Sequence, residues 1–244
     1  MDRIIHLLSF PFLFIATALS AQTKNVSDFN KIIVSPYIQA TLVQGNEESV
    51  TINSIEGDSN KLHIQVNDHT LRLYLDGAKN FPKKDYSKSY EEKHAVYNKT
   101  IVKVTITYKM LEALSLRGEE NHVCKSAING NAFSLHVYGE PSIVLDEINV
   151  NDLRTTLYGE GKVEIKGGTV KRQKYTCYGK GKIDALAIQN NTAIITSYGN
   201  ADCKLNVSDR IKITAFGDVT LDYTGDASIY KGIHFGDITI NKIN

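Results

Sequence analysis

The sequence predicts an all-β fold, a single-stranded β-solenoid (parallel β-helix) with rungs of about twenty residues and an N-terminal β cap. Three observations predict it. An aromatic-glycine pair recurs at Tyr138-Gly139, Tyr158-Gly159, Tyr178-Gly179, Tyr198-Gly199, Phe216-Gly217 and Phe235-Gly236, with the glycines 20, 20, 20, 18 and 19 residues apart. The residues before each pair alternate: Phe133, Leu135 and Val137 against Ser134, His136 and Tyr138, then Leu153, Thr155 and Leu157 against Arg154, Thr156 and Tyr158. Period-two alternation marks a half-buried strand. Finally, thirteen Tyr against two Met and no Trp give the aromatic bias that favours strands.

A unit this short cannot bury its own apolar side. Stacked on copies of itself, with parallel neighbours about 4.8 Å apart, it forms a continuous core. Six or seven such rungs make a rod roughly 30 Å long. Leucine-rich repeats share the period but require regular Leu and Asn positions that are missing here, and a propeller blade needs about 40 residues.

Taken in order, the chain opens on an export signal expected at residues 1–21. Arg3 precedes an apolar stretch from Ile4 to Leu19, which ends among the small residues Ala18, Ser20 and Ala21. The stretch is shorter than the roughly 20 apolar residues of a spanning helix, and His6 and Pro11 interrupt it. No Cys stands at the cut to take a lipid, and no later run is long enough to span a bilayer, so a mature chain without an integral span is expected.

Residues 22–244 are expected to form one solenoid domain, with N-terminal strands and cap over 22–110 and regular rungs over 111–244. Strand-like runs occur at Ile32–Val34, Ile38–Val43, Val50–Ile52, Leu62–Val66 and Leu71–Leu75, separated by turn residues such as Gly57-Asp58-Ser59-Asn60. Residues 77–100 carry six Lys, two Glu and one Asp with little alternation and read as an exposed, mobile loop. A clean strand follows from Ile101 to Tyr108. Solenoid ends need covering, because open sheet edges invite aggregation, and the irregular N-terminal part is the expected cap.

Within each rung, small or turn-tolerant residues stand two after the glycine (Pro141, Gly161, Gly181, Ala201). Apolar residues stand four after it (Ile143, Val163, Ile183, Cys203) and six after it (Leu145, Ile165, Ala185, Leu205). Each unit is then strand, glycine turn, strand and a polar return such as Asp146–Asp152 or Gln189–Thr192. The structural turn glycines are Gly139, Gly159, Gly179, Gly199, Gly217 and Gly236; Arg117-Gly118 is an imperfect leading copy. In register, Tyr138, Tyr158, Tyr178, Tyr198, Phe216 and Phe235 form one outward-facing column. An exposed aromatic ladder stacks on sugar rings or on a partner's apolar face; alternatively its rings stack only on one another and shield the turns.

Charge and chemistry narrow the function. Lys+Arg 28 against Asp+Glu 27 argue against phosphate-driven nucleic-acid binding, with a local basic patch left open. Cys124, Cys177 and Cys203 match no zinc or redox spacing and read as small core residues, with a Cys177–Cys203 disulfide left open. Asp218, Asp226, Asp237, Glu140 and Glu160 near the turns are oxygen donors of the type calcium wants, but Lys180 and Asn200 occupy equivalent positions, so solvated carboxylates are the expectation. Glu120, His122 and Cys124, with Glu119 beside them, share one strand face without a second cluster to complete a metal site. No Gly-x-Ser-x-Gly elbow, phosphate loop or set of carboxylates converging on one face emerges. No catalytic residue, cofactor or metal is therefore expected.

Several segments in order carry a family resemblance: Phe29-Asn30-Lys31-Ile32, Leu42-Val43-Gln44-Gly45, Val104-Thr105-Ile106-Thr107-Tyr108, and Leu111-Glu112-Ala113-Leu114-Ser115-Leu116-Arg117-Gly118. The glycine-turn repeats follow, and the series closes on Gly217-Asp218-Val219-Thr220-Leu221-Asp222-Tyr223-Thr224-Gly225. Together they resemble the bacterial family called putative auto-transporter adhesin, head GIN domain. This chain departs from the family's usual small polar residue before the repeated glycine, having Tyr or Phe there. The resemblance implies an exported β-solenoid of the cell envelope (periplasmic, outer-surface or secreted) and brings no catalytic residues. The expected function is a non-catalytic binding or adhesion module whose partner is a glycan or an envelope protein. The alternatives are a structural component of an envelope assembly and, less favoured, a carbohydrate-active enzyme.

Overall fold

The computed structural model describes residues 22–78, 97 and 99–243. The expected export segment, most of the expected loop (79–96 and 98) and residue 244 lie outside the described residues.

The repeats form a β-solenoid of about six turns with twenty-residue rungs. Strand β10 (Ile128–Gly139) runs into the first aromatic corner and β11 (Ser142–Leu145) leaves it. One coil on, β12 (Ile148–Gly159) and β13 (Lys162–Ile165) take the same path. The long β14 (Gly168–Phe216) continues through the next two corners into a third, and β15 (Val219–Thr224), β16 (Ser228–Phe235) and β17 (Ile238–Lys242) complete the rod. Pairing is parallel and position for position: Tyr138 lies beside Tyr158 and Tyr158 beside Tyr178, while Ile143 lies beside Val163 and Val163 beside Ile183. Every second residue therefore points into one shared interior, which runs unbroken from Phe29 to Ala227.

The return between coils differs from the expected polar loop. Ile128–Gly130 pairs with Ile148–Val150, and Ile148 and Val150 in turn pair with Gly168 and Val170, making a short third side. Ile148, Val150, Val170 and Ile188 point inward. Asparagines disguise the alternation, because they too are used: Asn149 Nδ2 donates to Asn129 Oδ1 at 3.0 Å and Asn151 Nδ2 to Asn131 Oδ1 at 2.8 Å, one coil apart.

The N-terminal strands join the same sheet out of sequence order. They are β1 (Gln22–Asn25), β2 (Lys31–Val34), β3 (Ile38–Gln44), β4 (Ser49–Ile55), β5 (Leu62–Asn67), β6 (Thr70–Leu75) and β7 (Val102–Tyr108), followed by β8 (Ala113–Gly118) and β9 (Asn121–Cys124). Strands β2 and β3 form a coil of their own. It lies between β8–β9 on one side and β6–β7 on the other, parallel to both. Three antiparallel strands then cover this end: β5 on β6, β4 on β7 and β1 on β4. Reversed chain direction breaks the parallel register that would let the stack continue. At the other end β16 and β17 are the outermost strands, and Ile233 and Phe235 are each 69% exposed.

Candidate functional site

The site is built at the glycine corner. All six corner glycines have positive φ, from 97° to 143°. A Cβ on Gly179 would stand 2.6 Å from the carbonyl oxygen of Gly159, so these positions exclude a side chain on two counts, backbone conformation and coil-to-coil approach. Backbone bonds tie successive corners together: Glu140 N–H donates to Gly118 O and Glu160 N–H to Gly139 O, both at 2.9 Å.

Immediately before the glycines, the aromatic column is a continuous stack. Ring centroids from Tyr138 to Tyr158, Tyr178, Tyr198, Phe216 and Phe235 are separated by 4.9, 4.7, 4.9, 5.3 and 5.8 Å. The first four pairs lie within 4° of parallel; the last opens to 25°, where the pairing of β14 with β16 shifts register after Ile213. The Arg117 guanidinium lies 5.5 Å from the Tyr138 centroid and extends the column by one coil. The rings point outward, Tyr158, Tyr178, Tyr198 and Phe216 being about two-fifths exposed. Their π faces are occupied by one another. What they present to solvent is a flat strip of ring edges with a file of tyrosine hydroxyls.

On the other side of the corner a cleft of about 580 Å³ crosses the outer surface of β11, β13, β14 and β15. Charged side chains line it in two columns. Three residues after the glycines stand Ser142, Lys162, Lys182, Asp202 and Thr220; five after stand Val144, Glu164, Asp184, Lys204 and Asp222. The sequence reading finds no carboxylates converging on one face, yet Glu164, Asp184, Asp202 and Asp222 meet here. The missed signal is the outward residue between the apolar positions two, four and six after each glycine. It becomes visible only when coils are superposed. Glu164, Asp184 and Asp202 are exposed and Asp222 half-buried. A carboxyl serving as general acid near neutral pH is usually a buried one, so the arrangement suits binding better than proton transfer.

A second pocket, about 390 Å³, lies at the leading Arg117-Gly118 corner between Pro36, Tyr37, Tyr97, Lys99 and Glu120. Here the metal-capable side chains of β9 and its approach have separate tasks. Glu120 is buried and accepts from Tyr37 N–H at 2.8 Å and Glu119 N–H at 3.0 Å, and burial pushes its carboxyl above the ordinary range. His122 Nδ1 accepts from Ala40 N–H at 3.2 Å, and burial drives its pKa down to about 3. Cys124 Sγ lies 3.4 Å from the Tyr108 hydroxyl. The three do share one face, pointing inward, but each is bound to a different part of the core. Among the described residues no group of three or more His, Cys, Asp or Glu is placed to hold a metal ion.

Three of the acidic turn residues are likewise engaged within the protein. Asp218 accepts from Asp237 N–H at 3.1 Å, Asp226 pairs with Lys242 at 3.1 Å, and Glu160 lies 3.9 Å from Lys180. All three cysteines are buried free thiols, so Cys177 and Cys203 are not joined, and burial pushes the Cys177 thiol up to about 12.

A parallel β-solenoid with one unbroken aromatic corner and a charged cleft beside it is a repeat protein that displays a long, regular surface. The chain belongs to the family described as putative auto-transporter adhesin, head GIN domain, whose family model matches residues 28–227. Among solved structures it is similar to a "putative adhesin" from Bacteroides fragilis, with TM-score 0.71 and 21% identity over 92% of this chain and 98% of that one. It is also similar to a "putative adhesin" from Parabacteroides merdae (TM-score 0.63, 18% identity, 91% and 96% covered). A third likeness is to a "putative lipid binding protein" from Parabacteroides distasonis (TM-score 0.64, 21% identity, 92% and 96% covered). At these identities the likeness establishes the fold. Among proteins of curated function, none matches the chain significantly.

Proposed function

We propose that this chain is a non-catalytic, cofactor-free binding or adhesion module, exported to the bacterial cell envelope, that engages a surface glycan or an envelope protein through its glycine corner. The observation that carries this reading is the exposed row from Tyr138 to Phe235, rigid along its length because each ring is held by its neighbours. A strip already ordered in the free protein spends little conformational entropy on binding. The family's adhesin description and the near-neutral charge balance, which argues against phosphate-driven nucleic-acid binding, support the same reading. The test is binding of the purified full chain to envelope fractions and glycan arrays, beside a Tyr158→Phe/Tyr178→Phe variant. Capture that falls in the variant supports the corner as the binding surface. No capture by any fraction or glycan refutes the module reading.

A second reading, a structural component of an envelope assembly, is favoured by the outermost β16 and β17, where Tyr230, Ile233 and Phe235 are more than half exposed. It requires a partner that co-purifies reproducibly from native envelopes and is lost on Ile233→Asp substitution.

A further inference from the structure

At several places on the solenoid surface, outward charges one coil apart are matched by opposite partners, although Arg154 stands beside Lys174. Arg172 holds Asp152 with two bonds of 2.6 Å, and Lys166 reaches Asp146 at 3.4 Å. The cleft holds both arrangements. Lys162 pairs in register with Lys182, and Glu164 with Asp184, so like charges stand side by side across β13 and β14, whereas Lys204 pairs with Asp222 across β14 and β15. Like charges directly opposite in a sheet are destabilising. Within the cleft the described ion pair is Lys182 with Asp202, at a loose 3.8 Å. Lys162 and Lys182, and Glu164 and Asp184, thus set ammonium and carboxylate groups in two parallel rows along the cleft, while Asp184 also accepts from Leu186 N–H at 3.4 Å and Asp222 from Asn241 Nδ2 at 2.9 Å.

We propose that this cleft binds a neutral, hydroxyl-rich linear glycan running along the solenoid axis. Three lysines (Lys162, Lys182, Lys204) face four carboxylates (Glu164, Asp184, Asp202, Asp222), so the lining is nearly balanced and favours no strongly charged ligand. A sugar hydroxyl both donates and accepts. It bonds to a carboxylate through its hydrogen and to an ammonium through its oxygen, and both bonds are charge-assisted. Vicinal hydroxyls therefore bridge the two columns without placing a third charge between like neighbours. From Ser142 to Thr220 the cleft spans five coils, roughly 20 Å, which suits a polymer rather than a monosaccharide. A peptide is less well served. One recurring way to receive one is strand addition at a sheet edge, and the strands under this cleft have both edges paired.

The inference rests on the reading of the chain as a binding module, and the two fail separately. Calorimetry of the full chain uses cellohexaose, maltohexaose and β-1,4-mannohexaose as neutral probes. Hexagalacturonate and an alternating Glu-Lys peptide serve as charged ones. The expected result is saturable binding of at least one neutral hexasaccharide, with affinity nearly unchanged between about 50 mM and about 500 mM salt. Glu164→Gln/Asp184→Asn and Lys162→Ala/Lys182→Ala should each weaken it by about tenfold or more at an undiminished melting temperature. Binding only of hexagalacturonate or of the peptide, steeply salt-dependent, overturns the glycan assignment in favour of a charged partner. Glycan binding that both double variants retain overturns the cleft while leaving the module reading standing. Absence of binding to every probe, with envelope fractions still captured, does the same.

Discussion

The rings of Tyr158 and Tyr178 stand 4.7 Å apart and within 2° of parallel, each sandwiched between two others. Each ring contact of this type contributes about 0.5–1.5 kcal/mol. Tyr158→Ala removes two, so a loss of about 1–3 kcal/mol is expected, read as a fall in melting temperature of roughly 2–12 °C for a chain of this size. Tyr158→Phe keeps the ring and should melt within about 1 °C of the parent. An unchanged melting temperature for the alanine variant would mean the stack contributes nothing to folding.

Gly179 and Gly57 offer a matched comparison of corner chemistry. Both have positive φ, 114° and 95°, but a Cβ at Gly179 meets the Gly159 carbonyl at 2.6 Å whereas one at Gly57 meets nothing within 4 Å. Gly57→Ala should cost about 1 kcal/mol of backbone strain, and Gly179→Ala about 2 kcal/mol or more. Urea unfolding midpoints measure the difference; equal shifts would show that the coils move apart freely.

Glu120 takes the place of a backbone acceptor at the leading Arg117-Gly118 corner. Its carboxylate receives the N–H groups of Tyr37, which adopts φ 70°, and of Glu119. Glu120→Ala orphans both, at about 1–3 kcal/mol each. Glu120→Gln retains one acceptor oxygen and should lose about half as much. Denaturant titration of the two variants checks the ranking, and alanine no worse than glutamine would contradict this role.

His122 imposes a dependence on pH. In the unfolded chain its imidazole takes a proton below about 6.5, but in the folded protein burial delays this to about 3. Between those values the unfolded state binds more protons, so stability falls with falling pH, at a limiting slope of about 1.4 kcal/mol per pH unit. Glu120 acts oppositely, because its raised carboxyl takes up a proton earlier in the folded state than in the unfolded one. Melting temperatures from pH 7 to pH 4 should decline less steeply in His122→Gln than in the parent. Parallel curves would exclude His122 as the source.

The three buried thiols should resist alkylation in the native protein and react together on unfolding. Mass spectrometry after iodoacetamide treatment, with and without denaturant, gives the count. Native labelling of Cys177 would mean that the coils around it open.

Most of the solenoid can be read from its chain because a coil repeats its own length: once Tyr158-Gly159 follows Tyr138-Gly139 by twenty residues, the corner, the inward Ile143 and Val163 and the outward rings are all placed. Three things resist. The coil of Ile32 and Leu42 is slotted between later ones by pairing over a long sequence distance, which no local period records. Ile148 and Val150 form a strand too short for alternation to stand out among asparagines. Lys162, Lys182, Glu164 and Asp184 look like ordinary surface charges until their coils are laid over one another, because what sets them apart is which neighbour lies across the ladder.

Register-matched stacking also makes a coil a cassette. Excising residues 159–178 joins Tyr158 to Gly179, and every interior side chain on either side of the join meets a counterpart from an equivalent column. The length of this rod can thus change by whole increments while its cross-section stays the same, and the reach of its display surface is a quantity that inheritance can adjust one duplication or deletion at a time.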